Sequence, residues 1–217
     1  MATDGAGEDS WVKEGLRKLE EGSQAVARAI QLNDGVSLPG VPEAKAREGL
    51  VVLRSALDWL EDTAHFDEAH KVLDDAGHQV RTTFGCNYAF YPDKGYLQEC
   101  PVALAHLRVG FSVGCIVRES ECSVCHEDPE DCDHISGQAY DGEVCIRIVK
   151  KADLFEVSMV DRPSQPDARI TSLPVPQADL EQAILTGGYG SPASCDRCLY
   201  SCTGMTEFNL DGAESGS

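Results

Sequence analysis

The sequence lacks the long apolar stretches that membrane insertion or secretion requires. No apolar run approaches the ~20 residues that a transmembrane helix needs. The N-terminal segment MATDGAGEDS has neither the basic start nor the apolar core of a secretory signal peptide. We therefore expect a protein with no membrane partner that stays in the cytoplasm, or in a particle assembled there.

Basic residues are also scarce. The chain has 18 Lys and Arg residues against 37 Asp and Glu residues, for a formal net charge of −19. Phosphate backbones repel such a chain, so nucleic-acid binding would need a local basic patch, and none exceeds a short pair such as Lys150-Lys151. The composition argues against a nucleic-acid partner. It favours a solvated acidic surface, or an acidic face that docks on a basic protein.

Apolar residues recur at helical spacing through the first third of the chain. A first helix is predicted from an N-cap at Ser10 to the Asn33-Asp34-Gly35 turn, and two more over 43–62 and 64–76, the last ending at Gly77. Two such stripes joined by a short loop favour an antiparallel helical hairpin that packs on itself and on the following domain. A partner-binding coiled coil is the alternative.

After Gly77, β-branched, aromatic and glycine residues replace the helical pattern. Strands are predicted over about 107–117, 143–149 and 154–160, followed by a short helix at about 178–185. We expect an α+β protein in which a helical hairpin precedes a small β-barrel-like domain. Its predicted divisions are a disordered segment 1–9, a helical hairpin region 10–77, a β domain 78–176 with a zinc insertion 119–142, a short helix and cysteine-rich segment 177–209, and a disordered segment 210–217.

Four metal-ligand residues lie between the first two predicted strands: Cys122, Cys125, Cys132 and His134. A Cys-x-x-Cys turn brings both sulfurs to one ion at ~2.3 Å, and three thiolates with one imidazole complete a tetrahedron. A closed shell of this kind indicates a structural Zn²⁺, and metal binding should fold a loop with no core of its own. Cys145 is an alternative to His134 as fourth ligand. His126 is expected to face away from the ion.

A second cysteine group lies near the C-terminus, at Cys195, Cys198 and Cys202. It is one ligand short of a zinc site, and Cys86 or Cys100 could supply the fourth thiolate. A second Zn²⁺ is the first interpretation of this group, an iron–sulfur cluster the second, and three free thiols the third.

Ser112 lies in the segment GFSVG at 110–114, and Glu156 on a later predicted strand is either an edge residue that faces water or a buried carboxylate that orients a partner. A serine nucleophile needs a base within hydrogen-bonding distance. His106 is six residues away, about 20 Å along an extended strand, and the other histidines of the region lie in or beside the predicted helices. The residues alone make a weak case for catalysis.

Two segments resemble the prohead (capsid-maturation) protease family of tailed phages. They are VGFSVG at 109–114 and LFEVSMVDRPSQPDARI at 154–170, similar to that family's Ser-x-Gly strand and its EVS-x-V strand leading into a P-x-x-P-x-A turn. Some members hold a cysteine-rich insert between these elements. The resemblance spans about 106–170 and implies a compact β-barrel, with Ser112 at the nucleophile position and Glu156 at the supporting acidic position.

The histidine of that family has no counterpart here, since only about 30 residues (78–108) remain upstream for the missing strands. The resemblance therefore favours a non-catalytic, zinc-stabilised structural or assembly protein of phage or prophage type, associated with the virion or prohead. Its partners would be capsid or other assembly proteins. One alternative is an active serine peptidase of capsid maturation that uses Ser112. Another is an unrelated zinc-binding protein-interaction module.

Overall fold

The chain is a mixed α and β protein, as predicted. A computed structural model describes residues 5–33, 39–178, 180–181 and 195. In chain order its elements are α1 (Gly5–Gln31), α2 (Val41–Trp59), α3 (Phe66–Phe84), β1 (Ala89–Tyr91), β2 (Gly95–Gln98), α4 (Pro101–Ala105), β3 (Gly110–Cys122), β4 (Ala139–Tyr140), β5 (Glu143–Val144), β6 (Arg147–Val160) and β7 (Leu173–Pro174).

The first two helices form an antiparallel hairpin that glycines allow to pack closely. Gly15 lies against Leu60, whereas Gly22 lies against Leu53 and Gly49, so the contacts run in reverse order along α2. A Cβ at Gly49 would be 2.8 Å from a Val26 methyl carbon, which leaves no room for a side chain. The main core gathers residues from α1, α2, α3 and α4.

Two predicted helix boundaries are wrong. α1 begins at Gly5, inside the segment 1–9 predicted to be disordered, so Ser10 lies within the helix rather than at its N-cap. α3 continues past Gly77 to Phe84 and ends at Gly85, which has φ 74°. A Cβ at Gly77 would lie 2.5 Å from a Val102 methyl carbon, so this glycine makes room for α4 and does not end α3.

The strands of the described residues do not close into the predicted barrel. They form a three-stranded sheet in the order β1-β2-β7, a two-stranded ribbon of β3 and β6, and a short β4-β5 hairpin. The predicted strand 143–149 is divided between β5 and β6, and its last three residues are continuous with the predicted strand 154–160 in β6. β3 extends into the predicted insertion 119–142. Of the predicted helix 178–185, residues 178, 180 and 181 are helical and the others lie outside the described residues, as does the predicted disordered segment 210–217.

The β3-β6 ribbon stands without a covering layer in the described part of the chain. Its antiparallel register pairs Phe111 with Met159 and Val113 with Val157, which places these four side chains on one face. All four are exposed, Val157 at 63%. The pattern leaves an apolar face open to solvent along the half of the ribbon nearest the helices.

A buried ionic cluster joins the base of this ribbon to α2. Arg108 Nη1 lies 2.7 Å from Asp58 Oδ1, and Arg108 Nη2 lies 2.7 Å from Glu61 Oε1. Arg169, which follows the proline-rich turn after β6, contacts the same two carboxylates. Burial raises the pKa of Asp58 and lowers that of Arg169, and the opposite charges around each residue counteract these shifts. The cluster therefore depends on every member being present.

Candidate metal centre

The cysteine-rich insertion sits at the far end of the β3-β6 ribbon. Cys122 is the last residue of β3 and pairs with Arg147, the first residue of β6. Between them the chain forms the Cys-x-x-Cys turn and the β4-β5 hairpin. That hairpin turns at Asp141 and Gly142, with φ values of 51° and 91°, as a tight Asp-Gly turn requires.

The four predicted ligands converge in this loop. The ligand atoms of Cys122, Cys125, Cys132 and His134 all lie within 4.8 Å of one another, an arrangement that could hold a metal ion. The Cys-x-x-Cys turn is shaped by its own backbone. The amide N–H of Val124 points at Cys122 Sγ at 3.4 Å, and the amide of His126 donates to the Cys122 carbonyl at 2.9 Å.

His134 presents a ring nitrogen that is otherwise unsatisfied. Its Nδ1 is buried and has no hydrogen-bond partner within the described part of the chain. The ring of Tyr140 packs edge-on against it, with centroids 4.6 Å apart and planes at 88°. A buried nitrogen without a partner is costly, and a metal ion in the adjacent cluster would satisfy it. The donor set and this nitrogen both fit Zn²⁺.

When no cation is present, the Cys122 thiolate opposes the ionisation of the cysteines beside it. Backbone N–H groups of Cys125 and Val124 lower the pKa of Cys122 to about 6. At Cys132 the backbone of His134 favours the thiolate, but burial and the adjacent Cys122 and Cys125 outweigh it and raise the pKa to about 11. A divalent cation would remove this conflict, since it lets all the thiolates ionise together.

Cys145 and His126 lie next to the cluster but outside it. Cys145 is buried, with its Sγ 3.6 Å from Cys122 Sγ, but it is not part of the group of mutually close ligand atoms. The geometry therefore favours His134 over Cys145 as fourth ligand. His126 is exposed, with its Nδ1 3.4 Å from Glu121 Oε1, and it is not part of the group of mutually close ligand atoms.

The second cysteine group is only partly within the described residues. Cys195 is buried, and its backbone N–H donates to the Cys86 carbonyl at 2.9 Å. Burial raises the pKa of Cys100, and Cys86 and Cys195 add to that shift, so the three cysteines share one neighbourhood. Cys198 and Cys202 lie outside the described residues. The two cysteines predicted as alternative fourth ligands are thus both near Cys195.

The structure places both candidate catalytic residues on the β3-β6 ribbon. Ser112 pairs with Ser158 across the ribbon, and Glu156 lies exposed opposite Gly114. Within the described residues Ser112 makes no hydrogen bond to a histidine. His106 lies instead beside α3, with its Nε2 3.3 Å from His70 Nε2.

Sequence reasoning overlooked two polar groups. One is the ionic cluster at the ribbon base, whose members are too distant in sequence to suggest a contact. The other is a set of three side chains, His70, Asp74 and His106, close enough to hold a metal ion. A signal for the latter was present, because His70 and Asp74 are four residues apart on a predicted helix and so share a face.

No protein-family model, curated protein or solved structure matches the chain. The resemblance to prohead proteases accordingly rests on the two sequence segments alone. Within the described residues, no helix has both the length and the apolar character needed to cross a membrane.

Proposed function

We propose that this chain is a zinc-stabilised, non-catalytic assembly protein whose β3-β6 ribbon docks on a partner protein. The observation that carries the proposal is the uncovered apolar face of the ribbon. Large apolar side chains there are mostly open to solvent, including Leu154 at 65% and Phe155 at 67%. An isolated two-stranded ribbon is marginally stable in water, and contiguous apolar patches of this kind mark interaction surfaces.

Zinc is the proposed ion at Cys122, Cys125, Cys132 and His134. Three thiolates and one imidazole form a closed tetrahedral shell with no position left for a substrate. In this role the ion holds the loop at the end of the ribbon, since that loop has no buried apolar core of its own.

A second zinc is proposed at Cys195, Cys198 and Cys202, with Cys86 or Cys100 as fourth ligand. The support is that Cys195 is buried beside both candidates. This site would tie the C-terminal segment to the start of the three-stranded sheet.

The assembly role comes from the prohead-protease resemblance. Its two segments are neighbours in the fold, because β3 pairs with β6 and the proline-rich turn packs beneath the start of β3. A Cβ at Gly110 would lie 2.7 Å from Pro163. Ser112 occupies the nucleophile position of the resemblance without a histidine hydrogen bond, which supports a role other than peptide cleavage. The proposed partners are capsid or other assembly proteins.

Co-expression with a capsid and a scaffolding protein from the same genome tests the proposal. A Val157→Glu substitution places a charge in the proposed interface, at a cost of about 2 kcal/mol or about 30-fold in affinity. We expect the wild-type chain to co-purify with one of these proteins and Val157→Glu to lose it. The matched control is Ser158→Glu, which puts the same charge on the opposite face and should retain the partner.

Several outcomes would overturn the proposal. One is that neither protein co-purifies with the wild-type chain, or that Val157→Glu binds as well as wild type. Another is that the chain alone is a dimer by light scattering and Val157→Glu dissociates it, since the surface then belongs to a second copy. Cleavage of either protein, abolished by Ser112→Ala, would show instead that the chain is a peptidase.

A further inference from the structure

A group of potential metal ligands that contains no cysteine lies where α3 meets α4. His70 and Asp74 are one turn apart on α3, and His106 follows the end of α4. His70 Nε2 lies 3.1 Å from Asp74 Oδ2 and 3.3 Å from His106 Nε2, and His106 Nε2 lies 3.5 Å from Asp74 Oδ1. Three ligating groups from two helices therefore meet at one point.

These separations match the spacing of ligands around one ion. Nitrogen and oxygen ligands bind Zn²⁺ at ~2.1 Å, so two ligands at a tetrahedral angle lie ~3.4 Å apart. All three observed separations are close to that value. A single ion can consequently reach the three side chains with little rearrangement.

The backbone fixes the tautomer of His106 in the form that a metal needs. Its Nδ1 lies 2.7 Å from the Val102 carbonyl oxygen, which can only accept a hydrogen bond, so Nδ1 carries the proton. The Nε2 of the neutral ring is then unprotonated, as a metal ligand must be, and it lies 3.3 Å from His70 Nε2 and 3.5 Å from Asp74 Oδ1. Metal-binding histidines are commonly held by such a hydrogen bond from the other ring nitrogen.

Solvent reaches the group, and a further carboxylate lies close to it. The side chains of His70, Asp74 and His106 are 16%, 25% and 26% exposed, so one side of the group faces solvent. Asp67, one turn before His70, adds a negative charge. The nearby Arg108 is compensated by Asp58 and Glu61.

We propose that His70, Asp74 and His106 bind a divalent transition-metal ion of the zinc class, with at least one coordination position open to water. Two imidazoles and one carboxylate leave the shell incomplete, unlike the closed cysteine site. The ion would link α4 to α3 beside the base of the ribbon. Without an ion, the same side chains would form a hydrogen-bonded histidine pair next to a carboxylate.

Titration with Co²⁺ distinguishes a metal site from a hydrogen-bonded cluster that binds no ion. The zinc-loaded full chain is dialysed against a chelator strong enough to empty a three-ligand site but too weak to empty a thiolate site, and Co²⁺ is then added. Cobalt bound by thiolates gives intense sulfur-to-metal charge-transfer absorption, whereas cobalt bound by nitrogen and oxygen gives only weak visible bands. We expect stoichiometric Co²⁺ binding with the weak bands alone.

Variants assign the site. Loss of a direct ligand should cost more than the ~10–100-fold that outer-shell partners contribute, so His106→Ala and Asp74→Asn should each lower Co²⁺ affinity more than about 100-fold. His78→Ala, an exposed histidine on the same helix, is the matched control and should bind as wild type. Asp74→Asn keeps the side-chain size and decides the question if His106→Ala fails to fold. Sulfur bands alone, or unchanged affinity in Asp74→Asn, would refute the site.

Discussion

Removing Asp58 should be among the most destabilising single changes in this chain. Its carboxylate lies 2.7 Å from Arg108 Nη1, 3.6 Å from Arg169 Nε and 3.9 Å from Arg54 Nε. In Asp58→Ala, Arg108 and Arg169 keep Glu61 as a partner, whereas Arg54 loses the carboxylate with which it pairs among the described residues. Breaking a buried ion pair by removing one partner costs about 3–5 kcal/mol, because the remaining charge stays out of water.

That cost corresponds to a Tm lowered by roughly 6–20 °C for a chain of this size, at ~2–4 °C per kcal/mol. Urea and thermal unfolding followed by circular dichroism measure it. The matched control is Asp153→Ala, which breaks an exposed 2.7 Å pair with Arg118 and should cost ~0–1 kcal/mol. If Asp58→Ala and Asp153→Ala lower stability equally, the ionic cluster does not join the ribbon base to α2 as argued above.

Three further predictions concern the metal centre and the helix packing. Cys122→Ser should lose the ion of the cysteine site, and its loop should become more sensitive to proteolysis. The control is Cys115→Ser, which replaces an exposed cysteine on the ribbon and should keep the ion. Mass spectrometry of the metal content compares the two variants. In a pH titration of metal-free protein, the first rise in thiolate absorbance should have its midpoint near pH 6, the lowered pKa of Cys122. Cys122 is then a thiolate above that pH and a thiol below it. If Cys122→Ser shows the same first rise, the assignment to Cys122 is wrong. Gly77→Ala should cost ~1–3 kcal/mol in urea unfolding, since its Cβ would overlap Val102, and a neutral or stabilising result would show that α4 can move away.

The elements that depend on local pattern were predictable from the sequence. Apolar spacing located α1 and α2, and the Cys-x-x-Cys turn with Cys132 and His134 identified the metal cluster, because each signal lies within a short stretch of chain.

What could not be predicted depends on contacts between distant segments. Gly77 resembles a helix C-terminus in sequence, and only the packing of Val102 against it explains why α3 continues. The barrel was expected by resemblance, yet strand pairing is decided by long-range contacts, and among the described residues β3 and β6 form a two-stranded sheet. Likewise His106 is 36 residues from His70 in sequence, and only the fold brings their rings to 3.3 Å.

The positions of the ribbon's two anchors determine which of its faces is apolar. Side chains alternate along a strand, so a slip of one residue between β3 and β6 would turn Phe111 and Val113 to the opposite face from Met159 and Val157. The ribbon is about 40 Å long at ~3.4 Å per residue, and bulges shift its register at three places. The cysteine cluster at one end and Arg169 at the other hold β3 and β6 in this register. An ion bound in the cysteine cluster would thus keep these apolar side chains together on one face, several nanometres from the ion.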